Sequence, residues 1–302
     1  MATSAERPSY WQADAPHCEA CGSPYLAWQI APLCVLWRCP RCGHIERDLA
    51  LAPAGARPEA IGGNVHADPL RTRLTASRLR RHVRGRDRGR VLEIGAGAGG
   101  LARLLAPQAS SYDALEPFSD ASIAAEMGAL GVNWQQLGVT EAEFPPASFD
   151  LIVGIHVVEH IHDIAPALTR MSQWLAPGGV LYALTPNADS AALRTFGADW
   201  WMLEDPTHRR FFSAASARIM LESSGFTRAV VRPVVTDSLM CEPASLARRL
   251  GARGVSSEAD KRVIALGLAA TPGLMALRTV RPRWCAAIEI MAVKGTPAEV
   301  SP

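Results

Sequence analysis

The chain has 302 residues, of which 48% are hydrophobic and 20% charged, and its formal net charge is +2. This composition can bury one medium-sized core plus an appendage. The near-neutral net charge excludes a strong electrostatic field over the whole surface, such as nucleic-acid-binding or membrane-binding proteins often have.

Residues 1–17 lack the apolar core of a secretory signal. The longest apolar run, residues 263–277, is short for a membrane span and contains Pro272, so we expect a buried helix pair there and a cytoplasmic location.

Four cysteines form two similar turns near the start of the chain. Each turn has the pattern Cys-x-x-Cys-Gly, and residues 22–38 separate the two pairs. In a cytoplasmic chain this spacing favours metal ligation over disulfides, and four thiolates fit a structural zinc site with no open position. The metal would supply folding free energy that so small a domain cannot obtain from its core. We therefore predict a zinc ribbon at residues 1–50, with one zinc held by Cys18, Cys21, Cys39 and Cys42.

A linker and a basic segment follow the ribbon. Prolines and glycines at residues 52–58 mark the linker, and the stretch from Arg71 to Arg90 contains nine arginines and one acid. We assign residues 51–89 to this linker and to a leading helix, whose arginines form a solvated face beside the first strand. The alternative is contact with phosphate or RNA, which the lack of interleaved aromatic residues makes the weaker interpretation.

Residues 91–100 read as a short apolar strand that runs into a glycine-rich turn. Only glycine lets the backbone turn so tightly and present its N–H groups closely to a ligand. The glycine spacing fits both a dinucleotide and a methyl donor, so the turn alone leaves these two cofactors open. Glu116 closes the next strand, where a carboxylate can accept the ribose hydroxyls that both cofactors carry.

Two later segments separate these cofactor classes. Phe149 and Asp150 open a strand that is followed by Glu159 and His160, and residues 175–179 form a Leu-Ala-Pro-Gly-Gly turn before another strand. With the glycine turn and Glu116, these motifs resemble those of class I S-adenosylmethionine-dependent methyltransferases over roughly residues 65–295. The resemblance implies that S-adenosylmethionine is the cofactor and that its binding residues are Glu93, Gly95, Gly97, Gly99, Glu116 and Asp150.

The same resemblance implies the fold and its boundaries. We expect an α/β fold with a seven-stranded Rossmann-like sheet, whose last strand at residues 285–294 runs antiparallel to the others. The methyltransferase domain would span residues 90–302, with an acceptor lid at 186–225 and a helical insert at 240–280. Part of the lid resembles the His-x-x-Phe-Phe-Ser signature of ubiquinone-type methyltransferases, and its serine is expected to cap the next helix; this signature comprises His208, Phe211, Phe212 and Ser213.

Histidines and a glutamate cluster after the fourth strand of this expected sheet. His156, Glu159 and His160 are spaced i, i+3 and i+4, so they share one face if a helix starts near Ile155. The carboxyl edge of parallel strands binds ligands, and His208 from the lid could close on the same pocket. We therefore predict that the catalytic residues are His156, Glu159, His160 and His208.

Three roles for this cluster stay open. His160 or His156 could accept the acceptor's proton while Glu159 orients the histidine. All four residues could instead hold a second, divalent metal that lowers the pKa of the acceptor hydroxyl. The resemblance to ubiquinone O-methyltransferases and small-RNA 3′-end 2′-O-methyltransferases implies such a site, and a histidine at position 156 suits manganese, iron, zinc or nickel better than magnesium. In the third interpretation the cluster only caps a helix and packs the pocket wall.

These features favour methyl transfer to a small-molecule, sugar, glycan or natural-product acceptor, most readily at oxygen. An RNA methyltransferase that uses the ribbon and the arginine-rich segment is a second interpretation. The RNA enzymes of this kind usually have a histidine among their zinc ligands and an Asn/Asp-Pro-Pro motif, neither of which this chain shows. A nicotinamide-dependent oxidoreductase and a non-catalytic S-adenosylmethionine-binding adaptor complete the alternatives.

Overall fold

The computed structural model describes residues 16–31, 34–48, 68–83, 89–118, 120–251 and 261–296. Eleven strands and eight α-helices lie within these ranges. In chain order they are β1 (Leu26–Ala31), β2 (Cys34–Arg38), β3 (Ile45–Arg47), α1 (Asp68–Val83), β4 (Arg90–Ile94), α2 (Ala102–Leu105), β5 (Ser111–Leu115), α3 (Ala121–Ala129), β6 (Val132–Gln135), β7 (Phe149–Ile155), α4 (Ile164–Trp174), β8 (Leu175–Pro186), α5 (Ala191–Phe196), β9 (Arg210–Phe211), α6 (Ala214–Ser223), β10 (Phe226–Val234), α7 (Cys241–Arg249), α8 (Lys261–Val280) and β11 (Ala287–Lys294).

Seven strands form one large sheet in the order β6-β5-β4-β7-β8-β11-β10. Strand β11 pairs antiparallel with both β8 and β10, whereas the pairs among β4 to β8 are parallel. The seven-stranded sheet with an antiparallel last strand is therefore confirmed. The order reverses at β4, so the carboxyl ends of β4 and β7 flank the crevice in which open α/β sheets bind ligands.

Helices cover both faces of this sheet. On one face α4 and α6 contribute buried side chains such as Leu168 and Met220, and on the other α1 contributes Ala76, Leu79 and Val83. Because both faces are covered, the central strands are continuous apolar runs instead of alternating ones. Helix α1 lies within the segment expected to hold the leading helix; Arg73, Arg78 and Arg81 on it are exposed, whereas Arg71 and Arg80 are half-buried.

The three ribbon strands do not form a sheet of their own. Strands β1, β2 and β3 are joined by β9, giving the order β1-β2-β3-β9. Strand β9 belongs to the segment expected to form the acceptor lid, and Ile45 pairs with Phe211 across the junction. The ribbon is thus continuous with the lid, although the linker residues 52–58 lie outside the described ranges.

The expected buried helix pair at residues 263–277 is wrong. This run lies within the single helix α8, which continues through Pro272 and packs against α7. A proline removes one backbone hydrogen bond, and a helix of 20 residues retains enough others to continue. Leu266, Leu268 and Leu277 in this run are 48%, 66% and 36% exposed, so the run is not buried as expected. Among the described residues, no helix is both long and apolar enough to cross a membrane.

Candidate functional site

The glycine turn after β4 has the backbone that its sequence predicts. Gly95, Gly97 and Gly99 all have positive φ angles, of 64°, 55° and 72°. A Cβ at Gly95 would lie 2.3 Å from Cγ2 of Val157, and one at Gly99 would lie 2.6 Å from Sδ of Met127, whereas one at Gly97 would meet no atom within 4 Å. Two of the glycines therefore serve close packing, and the third leaves an open approach to the turn.

Glu116, at the carboxyl end of β5, lies directly against this turn. Its Oε2 accepts a hydrogen bond from the N–H of Gly97 at 2.7 Å, and its Oε1 accepts one from the N–H of Phe118 at 3.0 Å. The structure thus brings together Glu116 and Gly97, which follow different strands of the sheet. A carboxylate here can accept the ribose hydroxyls of a nucleoside cofactor.

Glu93 is enclosed beneath the turn. It is 4% exposed, and its Oε2 accepts a hydrogen bond of 2.7 Å from the hydroxyl of Tyr112. Burial raises the pKa of Glu93 to about 8, so the carboxyl group is mostly protonated at neutral pH. We expect Glu93 to support the turn from below, and its contact with the cofactor stays a prediction.

Asp150 was predicted to bind the cofactor, and the structure contradicts this. It lies at the amino end of β7, whereas the glycine turn follows the carboxyl end of the neighbouring parallel strand β4. Its Oδ2 accepts hydrogen bonds from the backbone N–H of Arg90 at 2.8 Å and from Nε of the same residue at 3.1 Å. Asp150 therefore fastens β7 to the start of β4.

The cluster after β7 is built on turns, and the expected helix near Ile155 is absent. Helix α4 begins only at Ile164. His156 has a φ angle of 54°, a left-handed conformation that interrupts any helix starting at this point. The spacing still brings Glu159 close to His156, but it does so through successive turns.

His156 is held by two carboxylates. Its Nδ1 lies 3.2 Å from Oε1 of Glu159, and its Nε2 lies 2.9 Å from Oδ2 of Asp237. Burial alone would lower the pKa of His156, but Asp237 and Glu159 together raise it to about 9. Because a carboxylate lies against each ring nitrogen, neither nitrogen faces an acceptor or a metal in this arrangement, which argues against both roles predicted for His156. Asp237 follows β10, and the sequence carries no signal for it.

Glu159 is the centre of the cluster. It is fully buried, and its Oε2 accepts a hydrogen bond of 3.0 Å from the hydroxyl of Thr185. Burial alone would raise the pKa of Glu159. The hydrogen bond from His156 and the positive charge of that ring instead hold the pKa at about 2. The cluster therefore contains a permanent carboxylate.

His160 and His208 face each other beside Glu159, with ring centroids 4.7 Å apart. Nδ1 of His208 lies 2.6 Å from the carbonyl oxygen of Met202. Nδ1 of His160 lies 3.2 Å from the carbonyl oxygen of Thr207 and 2.9 Å from the hydroxyl oxygen of the same residue, which donates its own hydrogen to Asp205 and so is left to accept. A carbonyl only accepts, so each Nδ1 carries the hydrogen and each Nε2 keeps its lone pair. Nε2 of His208 lies 3.9 Å from Oε1 of Glu159.

The protonation state of His208 matches this geometry. Burial lowers its pKa to about 4, and the neighbouring His160 acts in the same direction. The ring is therefore neutral at physiological pH. His162, by contrast, is exposed and pairs with the adjacent Asp163 at 2.9 Å, as expected for a surface residue.

Three residues of this cluster fit a divalent metal ion. One donor atom from each of Glu159, His160 and His208 lies within 4.8 Å of the other two. Two imidazoles and one carboxylate suit manganese, iron, cobalt or zinc. Each donor also has the outer hydrogen-bond partner that orients metal ligands, namely the carbonyls of Thr207 and Met202 and the hydroxyl of Thr185.

The four ribbon cysteines also come together. Their Sγ atoms all lie within 4.8 Å of one another, with 3.6 Å between Cys18 and Cys42 and 3.5 Å between Cys21 and Cys39. Four thiolates at about 2.3 Å from a tetrahedral zinc would lie about 3.8 Å apart, so the cluster fits this ion. The glycine after each pair has the positive φ angle that such a turn requires, 69° at Gly22 and 73° at Gly43.

The order of the large sheet, with the glycine turn and an acid at its reversal point, defines a doubly wound α/β domain that binds a nucleoside cofactor. The profile of a methyltransferase domain family matches residues 67–230. The chain therefore belongs to this methyltransferase family, whose cofactor is S-adenosylmethionine.

Two relatives show how far the similarity extends. A probable S-adenosylmethionine-dependent methyltransferase of Mycolicibacterium smegmatis is 32% identical over 52% of this chain and 58% of its own length. A ubiquinone biosynthesis O-methyltransferase of Azorhizobium caulinodans is 28% identical over 51% of this chain and 64% of its own length. The match thus spans less than two thirds of each relative.

Among solved structures, the [4+2]-cyclase SpnF has a similar fold, with a TM-score of 0.52 and 18% identity. The alignment covers 81% of this chain and 86% of the cyclase. At this identity the similarity concerns the fold alone, and the chemistry has to be argued from the site.

Proposed function

We propose that this protein transfers a methyl group from S-adenosylmethionine to an oxygen of a small-molecule, glycan or natural-product acceptor. The observation that carries the proposal is the cluster of Glu159, His160 and His208 beside the cofactor turn. Val157, in the same segment as Glu159, packs against Gly95. An acceptor held at the cluster would therefore lie next to a cofactor bound at the turn.

The cofactor would be bound by the turn and by Glu116. Open space at Gly97 admits the ligand, and Glu116 offers its carboxylate to the ribose. Methyl transfer is an in-line displacement, so the acceptor oxygen, the methyl group and the sulfur must be aligned. The glycine turn fixes one end of this line and the Glu159 cluster fixes the other.

A hydroxyl acceptor must also lose its proton as the new bond forms. Nε2 of His160 and Nε2 of His208 keep their lone pairs and are the available proton acceptors. Glu159 stays ionised and stabilises positive charge in the cluster. A divalent cation held by Glu159, His160 and His208 would lower the pKa of the bound hydroxyl.

The hydrogen bonds of the histidines favour the metal interpretation of the cluster. Each Nδ1 is occupied by a backbone carbonyl, which is the usual arrangement around a metal-ligating histidine. The names of the relatives support an oxygen acceptor, since the Azorhizobium protein is a ubiquinone biosynthesis O-methyltransferase. Adjacent hydroxyl groups can chelate a cation, so we choose catechol as the acceptor probe.

The test is the release of S-adenosylhomocysteine from S-adenosylmethionine with catechol, phenol or glucose as acceptor. We expect turnover to fall by ~10²–10⁴-fold in His160→Ala and in Glu159→Gln. His162→Ala is the matched control, since His162 lies on the same segment and points into solvent. If the first two variants keep the turnover of this control, the cluster does not activate the acceptor.

Sensitivity to metals separates the two roles of the cluster. In the metal role, a chelator at a concentration too low to strip the ribbon abolishes turnover, and manganese restores it. In the proton-acceptor role, the chelator has no effect and His160→Ala still reduces turnover.

A further inference from the structure

The zinc ribbon contacts the segment that carries Glu159 and His160 through one buried arginine. Arg210 is 3% exposed and lies in β9, two residues after His208. Its Nε lies 2.5 Å from Oε1 of Glu19, which stands between Cys18 and Cys21 in the first cysteine turn. A charged side chain of the lid is therefore paired with the ribbon.

The other nitrogens of Arg210 bind the turn segment itself. Nη1 donates to the carbonyl oxygens of Val158 and Ile161, and Nη2 donates to that of His162 at 2.9 Å. These three carbonyls bracket Glu159 and His160. The segment lies between β7 and α4 and forms no regular helix, so Arg210 supplies donors that a helix would otherwise provide.

Backbone hydrogen bonds reinforce this connection. The N–H of Arg47 in β3 donates to the carbonyl of Arg209 at 2.8 Å, and the N–H of Arg209 donates to the carbonyl of Glu159 at 3.0 Å. The hydroxyl of Ser213 donates to the carbonyl of Cys42. Hydrogen bonds thus connect the ribbon to the start of β9, and that segment in turn to the segment that carries Glu159.

We propose that Glu19 and Arg210 are positioning residues, through which the folded zinc ribbon holds Glu159, His160 and His208 in place. This inference rests on the proposed function of that cluster. The ribbon then acts as a support of the acceptor site, and its role does not require RNA. Loss of the Glu19–Arg210 pair would leave a buried guanidinium without its anion and release the three carbonyls.

The experiment compares three variants of the full-length, zinc-loaded protein. Glu19→Gln removes the anion with little change of shape, and Arg210→Lys keeps the charge but cannot reach all three carbonyls. Arg38→Gln is the matched control, because Arg38 also joins the ribbon to the rest of the chain, through Asp189 at 3.1 Å, without contacting the Glu159 segment.

Hydrogen exchange at the amides of His160 and Arg209 is the first readout. We expect exchange there to accelerate by about tenfold or more in Glu19→Gln and Arg210→Lys, and to stay unchanged in Arg38→Gln. Equal exchange in all three variants and the wild type would overturn the proposal. Faster hydrogen exchange that is confined to the ribbon residues 16–48 would also overturn the proposal.

Binding of Mn²⁺ and of S-adenosylhomocysteine is the second readout. Glu19→Gln should weaken Mn²⁺ binding about 10–100-fold, as the loss of an outer support does, while the affinity for S-adenosylhomocysteine stays unchanged. A parallel loss of both affinities would indicate general destabilisation and contradict the positioning role. If the wild type binds no Mn²⁺, the metal part of the proposed function fails, and the exchange experiment still decides this inference.

Discussion

Replacing Gly97 by alanine tests whether the cofactor occupies the open space beside this glycine. The φ angle of 55° is a conformation that alanine adopts only with strain, at a cost of about 1–2 kcal/mol of folding free energy. The new Cβ would meet no protein atom within 4 Å. The folded protein therefore tolerates the methyl group, whereas a ligand that approaches the backbone does not.

Gly131 provides a matched control. Its φ angle is 77°, and a Cβ there would also meet nothing within 4 Å, but it lies in the turn between α3 and β6. Gly131→Ala therefore carries the same strain without blocking the proposed cofactor. Gly95→Ala is a contrast, because its Cβ would overlap the side chain of Val157 and should destabilise the fold.

The assay is calorimetric titration with S-adenosylhomocysteine, alongside thermal unfolding. We expect both Gly97→Ala and Gly131→Ala to lose a similar amount of stability. Only Gly97→Ala should bind at least about tenfold more weakly, a difference of about 1.4 kcal/mol. If the two variants bind S-adenosylhomocysteine as tightly as the wild type, the cofactor does not approach the turn at Gly97.

Three further changes test the supporting parts of the structure. Cys39→Ser should lose essentially all the bound zinc, and elemental analysis that finds no zinc in the wild type would contradict the ribbon site. Glu93, with a folded pKa of about 8 against an ordinary value of 4.5, favours folding while protonated, so stability should fall by about 4 kcal/mol between pH 5 and 8. Glu93→Gln should remove this part of the pH dependence in urea unfolding, and an unchanged pH profile would refute it. Asp150→Asn should cost about 1 kcal/mol or less, because its pair with Arg90 is partly exposed, and a loss of cofactor affinity would contradict its structural role.

The sequence predicted the parts of the fold that depend on local patterns. The glycine turn and the cysteine turns each have a short motif whose spacing fixes the backbone, whereas the antiparallel last strand was implied only by the family resemblance. Ser213 was expected to cap a helix, and it forms a capping box with Ser216 at the start of α6. The pairing of β3 with β9 has no local signal, because it joins segments far apart in the chain.

The candidate site was predicted only in part for the same reason. Glu159, His160 and His208 come together as expected, but the expected helix near Ile155 is replaced by turns. His156 was expected to face the acceptor, and its role changed because Asp237, from a distant loop, binds its second nitrogen. The buried ion pair of Arg210 was not predicted. An arginine between apolar residues of a signature is a signal for a buried arginine that pairs with a carboxylate.

We propose above that the cluster of Glu159, His160 and His208 activates an oxygen for methylation by S-adenosylmethionine. Mass spectrometry of catechol after reaction with trideuteromethyl-labelled S-adenosylmethionine tests it most directly. We expect a trideuteromethyl ether with the wild type and with His162→Ala, and almost none with Glu159→Gln. A labelled product that forms equally with Glu159→Gln, or a label found on carbon, would contradict it.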